Sequence, residues 1–116
     1  DTDNVFRDNL IARNGIYGIY FRNESEPMGA HRNLIEGNEI LDNGSNDKGY
    51  GIYVDGETHD ITVTGNTIEG SPYGVFVGPK ATRIIIRGNA FKNISVEPIH
   101  QESENSEVGS TDNRIE

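Results

Sequence analysis

Apolar positions along this chain recur in short alternating runs, not in helical spacing. The cleanest copy reads Ile61-Thr62-Val63-Thr64-Gly65-Asn66-Thr67-Ile68, then Tyr73-Gly74-Val75-Phe76-Val77. A strand with period-two alternation ends on Gly-Asn, an apolar position follows two residues later, and another strand opens on Gly after a turn. The same order occurs four times. Aligned on the Asn that closes the first strand, the copies stand at Asn9, Asn38, Asn66 and Asn89, at intervals of 29, 28 and 23 residues. Self-similarity at a period of roughly 20 to 30 residues is the mark of a solenoid.

The alternation assigns faces. Three positions before each Asn stand Phe6, Ile35, Val63 and Ile86, which point inward. Arg7, Glu36, Thr64 and Arg87 therefore face water, and Arg7 and Glu36 become neighbours on adjacent turns. A second, very short strand points Ile11, Ile40, Ile68 and Phe91 inward. Gly37, Gly65 and Gly88 mark a sharp bend where a β-carbon would be in the way. The third strand is Gly18-Ile19-Tyr20-Phe21, Gly51-Ile52-Tyr53-Val54, Gly74-Val75-Phe76-Val77 and, in altered form, Pro98-Ile99-His100-Gln101. Ile19, Ile52, Val75 and Ile99 face in. Tyr20, Tyr53, Phe76 and His100 face out, with Arg22, Asp55, Gly78 and Glu102 one outward position further on. Tyr17, Tyr50 and Tyr73 precede the glycines and are expected to stack at the corner.

The repeats give one segment of about four coils (4–32, 33–60, 61–83 and 84–112). Asn113-Arg114-Ile115-Glu116 matches Asn33-Leu34-Ile35-Glu36 and starts a fifth. No window carries apolar residues at i, i+3, i+4 and i+7, and a four-stranded propeller blade needs roughly 40 residues. The pattern Ile-x-x-x-Gly-Asn-x-Ile followed by Gly-Ile-Tyr-Val resembles the parallel β-helix repeat of the pectin-lyase-like superfamily, over essentially the whole chain. The resemblance implies an all-β fold: a right-handed, single-stranded parallel β-helix with three short parallel sheets. It also implies an interior Asn ladder, here Asn9, Asn38, Asn66 and Asn89. Such a ladder has its own physical reason. An inward Asn at the same bend of every turn can bond the Asn above it and bend backbone that no strand reaches.

Composition fits a narrow repeated interior: 116 residues, 33% hydrophobic, with 14 glycines. There is no Cys, which removes disulfides and thiolate metal sites. No run approaches the length of a membrane span. The chain opens at Asp1 with no initiator Met or signal pattern, and reads as a fragment or processed form. The net charge of −9, without a basic cluster, argues against a nucleic-acid partner. The resemblance implies an extracellular or cell-surface location and polysaccharide as partner.

The first two intervals exceed the third, so two coils carry insertions. One follows the third strand (22–32); the other precedes it (42–50). Loops on a rigid scaffold collect function. Flanking the third-strand sheet from opposite sides, these would wall a groove, and in the superfamily that sheet and those loops form the sugar-binding groove. Its floor and wall are expected to be Tyr20, Tyr53, Phe76, His100 and Arg22. Aromatic rows stack on sugar rings, but they also simply protect a sheet.

Catalytic chemistry is not written as a motif. Asp55 and Glu102 lie two turns apart, roughly 10 Å, near the upper limit for an inverting pair of carboxylates. A lyase or epimerase needs a base, for which Lys48, His31, His59, Arg83 and His100 are on hand. The Asp-Asp and Gly-His-Gly signatures of polygalacturonases and the Asp-Pro-His motif of alginate epimerases are absent. The nonapeptide Ca²⁺ repeats of the epimerases' companion modules are absent too. No resident cofactor is expected. Asp42 and Asp47, with Asn43 and Asn46, carry the oxygen-rich composition of a Ca²⁺ loop without its spacing. Asn23, Asn43 and Asn93 open glycosylation sequons. The acidic stretch 96–112 reads as an exposed loop or edge cover. Two functions compete: a polysaccharide-binding or polysaccharide-processing segment, and a structural segment that self-associates end to end or packs on more β-helix.

Overall fold

The computed structural model describes residues 2–44, 48–102 and 108–116. Successive windings contribute three short strands each. The first carries β1 (Val5–Arg7), β2 (Leu10–Ala12) and β3 (Tyr17–Phe21), then a 3-10 turn (Glu26–Met28). The second carries β4 (Asn33–Glu36), β5 (Glu39–Leu41) and β6 (Tyr50–Val54). Next come β7 (His59–Thr64), β8 (Thr67–Glu69) and β9 (Tyr73–Val77), then β10 (Thr82–Arg87), β11 (Ala90–Lys92) and β12 (Glu97–Gln101). β13 (Val108–Thr111) and β14 (Arg114–Ile115) complete the described strands.

Like strands stack into three parallel sheets, ordered β1-β4-β7-β10-β13, β2-β5-β8-β11-β14 and β3-β6-β9-β12. This is the expected parallel β-helix, wound in the right-handed sense that parallel crossovers take. The register follows the repeat: Phe6 pairs with Ile35, Ile35 with Val63, and Val63 with Ile86. Ile35, Ile40, Ile52, Val63, Ile68, Val75, Ile86 and Phe91 have no exposed surface. Each is worth roughly 1.5–3 kcal/mol of burial, which is how a chain with so few apolar residues holds a core. Phe6, covered on one side only, remains 38% exposed.

The Asn ladder is continuous and directional. Main-chain N and Nδ2 of Asn9 donate to Oδ1 of Asn38 at 2.9 and 3.1 Å, and the same pair of bonds links Asn38 to Asn66 and Asn66 to Asn89. The second Nδ2 hydrogen reaches a carbonyl of the preceding winding: Asn38 to Phe6, Asn66 to Ile35, Asn89 to Val63. The residue before each Asn is left-handed, with φ of 57° at Asp8, 64° at Gly37 and Gly65, and 66° at Gly88. Glycine is the low-strain choice there, and Asp tolerates it.

Two expectations are corrected. Asn113 stands on Asn89, which donates to its Oδ1 at 2.9 and 3.0 Å, and Arg114 pairs with Ala90. The final tetrapeptide therefore continues the second sheet and matches Asn89 onward, not Asn33 onward; short polar-apolar tetrads cannot distinguish the two sheets by sequence. The acidic stretch 96–112 is no loop throughout, since it holds β12 and β13, the latter paired with Ile84–Arg87. Glu104 and Glu107 lie outside the described residues.

The glycines opening the third strand do more than expected. A β-carbon on Gly51 would lie 2.6 Å from Ile68 Cγ2 and 2.8 Å from the Gly74 carbonyl. This position faces the crowded interior beside an inward Ile. The alternation breaks there, and both the Tyr before the glycine and the aromatic two residues after it emerge on the outside.

A candidate metal corner and the aromatic face

The third sheet presents two adjoining rows of rings. Tyr17, Tyr50 and Tyr73 stack in sequence at 5.4 and 5.3 Å, as expected. In the second row Tyr53 stacks on Phe76 at 4.7 Å, and Phe76 on His100 at 4.5 Å. Tyr20 meets Tyr53 edge-on and lies flat on Tyr17 at 4.2 Å. The rows interlock through edge contacts such as Tyr50 on Tyr53 and Tyr73 on Phe76. Rings stacked along the axis turn faces to one another and edges to solvent, and Phe76 is only 7% exposed. A sugar stacks on a face; this surface offers chiefly edges. Burial, then Asp55, pushes the Tyr53 hydroxyl up to about 12. Burial opposes charge on His100, but Glu97 (2.8 Å) and Glu102 (3.5 Å) outweigh it and raise its pKa.

The other anticipated site residues are dispersed. Asp55 spends Oδ1 on the Gly56 main-chain N–H at 2.8 Å. Lys48 and Glu102 are exposed. Arg22 pairs with Glu24. A cavity of about 420 Å³ includes Tyr20, Arg22 and Met28, but its wall also holds the inward-facing Phe6 and Ile19, so it opens onto the first winding's interior as well as the sheet face. Asp42 is an exposed left-handed corner, φ 53°, and Asp47 lies outside the described residues.

Chemistry converges instead at the corner before the first sheet. Insertion 22–32 folds back on the turn before β7: Glu57 N–H donates to the Glu24 carbonyl at 2.9 Å, and Glu57 Oε1 accepts from Glu26 N–H at 2.8 Å. This sets the 3-10 turn beside His59. His31 and His59 occupy the same position of successive windings and stack at 3.8 Å, 9° from parallel. Glu26 Oε2 lies 3.4 Å from Nε2 of both. Ligand atoms of Glu26, His31 and His59 all lie within 4.8 Å of one another, forming a group suited to a metal ion among the described residues.

The two histidines are held differently. His59 Nδ1 meets Asp60 Oδ2 at 2.6 Å, and Arg83 grips both oxygens of Asp60 at 2.8 and 3.0 Å. The Arg83 bonds, then the His59 bond, hold the Asp60 carboxyl down at about 2. A carboxylate on Nδ1–H fixes the tautomer whose Nε2 carries the lone pair, which is how metal-binding histidines are oriented. His31 is 5% exposed; its Nδ1 accepts the His59 main-chain N–H at 3.2 Å and its Nε2 donates to the Glu26 carbonyl. To join as a ligand through Nε2 it must take the other tautomer, giving up both the Glu26 carbonyl and the His59 main-chain N–H. Two imidazoles and a carboxylate make a donor set that suits Cu(II) or Zn(II). Glu26, whose side chain is 61% exposed, gives an ion access from solvent. The residues fit.

His31 and His59 appeared in the sequence only as available bases. The signal that joins them is their separation of 28 residues, the same as between Asn38 and Asn66. The profile of the family described as Periplasmic copper-binding protein (NosD) matches residues 1–115. No curated protein and no solved structure matches the chain.

Proposed function

Because this chain belongs to the NosD family of β-helix proteins, described as periplasmic and copper-binding, we propose that it binds a divalent copper ion at the His59–Glu26 corner. The observation that carries the reading is the second layer of contacts. Asp60, clamped by Arg83, orients His59 so that its Nε2 lone pair faces Glu26. The arginine clamp is the coil's own corner contact, since Arg32 grips Asp3 in the same way one winding earlier at 2.8 and 3.2 Å; what is particular to this corner is the carboxylate on His59 Nδ1. His59 and Glu26 are the anchoring ligands, His31 is the third when it gives up its two main-chain contacts, and water completes the shell. The periplasmic description agrees with the extracellular or cell-surface location implied by the repeat. No helix among the described residues is long and apolar enough to cross a membrane.

The glycan reading depended on exposed ring faces over the third sheet, and those faces are largely taken up by neighbouring rings. The metal reading is therefore the one the geometry favours. Equilibrium dialysis against Cu(II) tests it. Wild type should retain about one ion per chain, His59→Ala should lose it, and His100→Ala should keep it. Retention by His59→Ala would refute the assignment.

A further inference from the structure

The donors at this corner also carry a preference between the two oxidation states of copper. We infer that the corner binds copper as Cu(II) and discriminates against Cu(I), an inference that rests on the metal reading above and specifies its cargo. Monovalent copper is soft and is held by thiolate and thioether sulfur; imidazole and carboxylate suit the harder divalent ion. The chain has no Cys and a single Met. That residue, Met28, closes the same 3-10 turn as Glu26, but its side chain is 70% exposed and lines the first-winding cavity.

Charge reinforces softness. Glu26 faces both imidazoles, and Asp60 stands directly behind His59. Asp60 makes the His59 imidazole a stronger σ-donor, and Glu26 contributes a full negative charge, and both effects favour a doubly charged ion over a singly charged one. Arg83 neutralises part of Asp60, reaching both its oxygens, including the one that meets His59 Nδ1, so the full charge nearest the ion is that of Glu26. The residues thus form a binding site whose preferred occupant is the oxidised ion.

The test compares Cu(II) with Ag(I), a redox-inert stand-in for Cu(I), by titration calorimetry on the full chain, with Met28→Leu as control. Cu(II) should bind at least about tenfold more tightly than Ag(I), with the difference unchanged in Met28→Leu. Ag(I) binding as tightly as Cu(II), or Ag(I) affinity that falls in Met28→Leu, would overturn this inference and leave the metal site standing. Failure of both ions to bind wild type would overturn the metal reading and this inference with it.

Discussion

Two corners of the same coil use the repeat in opposite ways. At the bend between the first and second sheets, every winding places Asn in the same column, and each donates to the next through identical bonds. At the corner leading into the first sheet, the column changes chemistry: His31 stacks on His59, and Thr82 pairs with His59 on the next winding. The uniform column spends its polar groups on itself. The variable one leaves groups directed at a shared point, and an insertion supplies the carboxylate. Solenoids can therefore separate stability from function by column, with no separate domain for either.

The largest effect is expected at the uniform corner. Asn66→Leu removes the acceptor for Asn38 and the donors to Asn89 and the Ile35 carbonyl. Leaving those buried groups unpaired should cost about 3–5 kcal/mol in denaturant unfolding; an unchanged midpoint would contradict the ladder's role. Gly51→Ala comes next, because its methyl would be driven into Ile68 and the Gly74 carbonyl. Overpacking of this kind should cost about 2–3 kcal/mol, and a neutral result would mean the windings part more easily than their packing indicates.

At the variable corner the expected effects fall on binding more than stability. Asp60→Asn should weaken Cu(II) by roughly 10- to 100-fold by loosening the support of His59, with the fold retained by circular dichroism. The same carboxylate sets an acid dependence. Its pKa is lowered in the folded chain to about 2, so its contribution is complete above the ordinary carboxylate range and is lost as pH falls through 2. Because Asp60 is partly exposed, that contribution should be under about 1 kcal/mol after solvent screening. Comparing wild type with Asp60→Asn at pH 7 and pH 2 measures it; a gap that widens toward acid would reverse the assigned sign. The smallest effect belongs to Arg7→Ala, which loses the exposed 2.8 Å pair with Glu36 and should change stability by less than about 0.5 kcal/mol.

The fold was legible because it repeats. Inward positions, the ladder and the stacked tyrosines all follow from one alignment, since each position fixes its neighbours on the windings above and below. What was not legible lay where the repeat is interrupted. Nothing in residues 22–32 says that the chain folds back to bring Glu26 beside His59, because that depends on hydrogen bonds to Glu57 made across a winding. The alternation places the aromatic row on the outer side of its strand, but the orientation of its rings depends on the break in alternation at Gly18, Gly51 and Gly74. Packing decides whether faces or edges meet the solvent. The sheet that Asn113 joins is illegible for a related reason, its tetrad being too short to carry a register.

The most direct test is the amide NMR spectrum of the ¹⁵N-labelled chain titrated with substoichiometric Cu(II). Paramagnetic broadening falls steeply with distance, so the signals lost first locate the ion. Losses should begin at Glu26, His31, His59 and Asp60 while the third-sheet aromatics stay sharp. Losses centred on His100 and Glu102, or none localised anywhere, would contradict it.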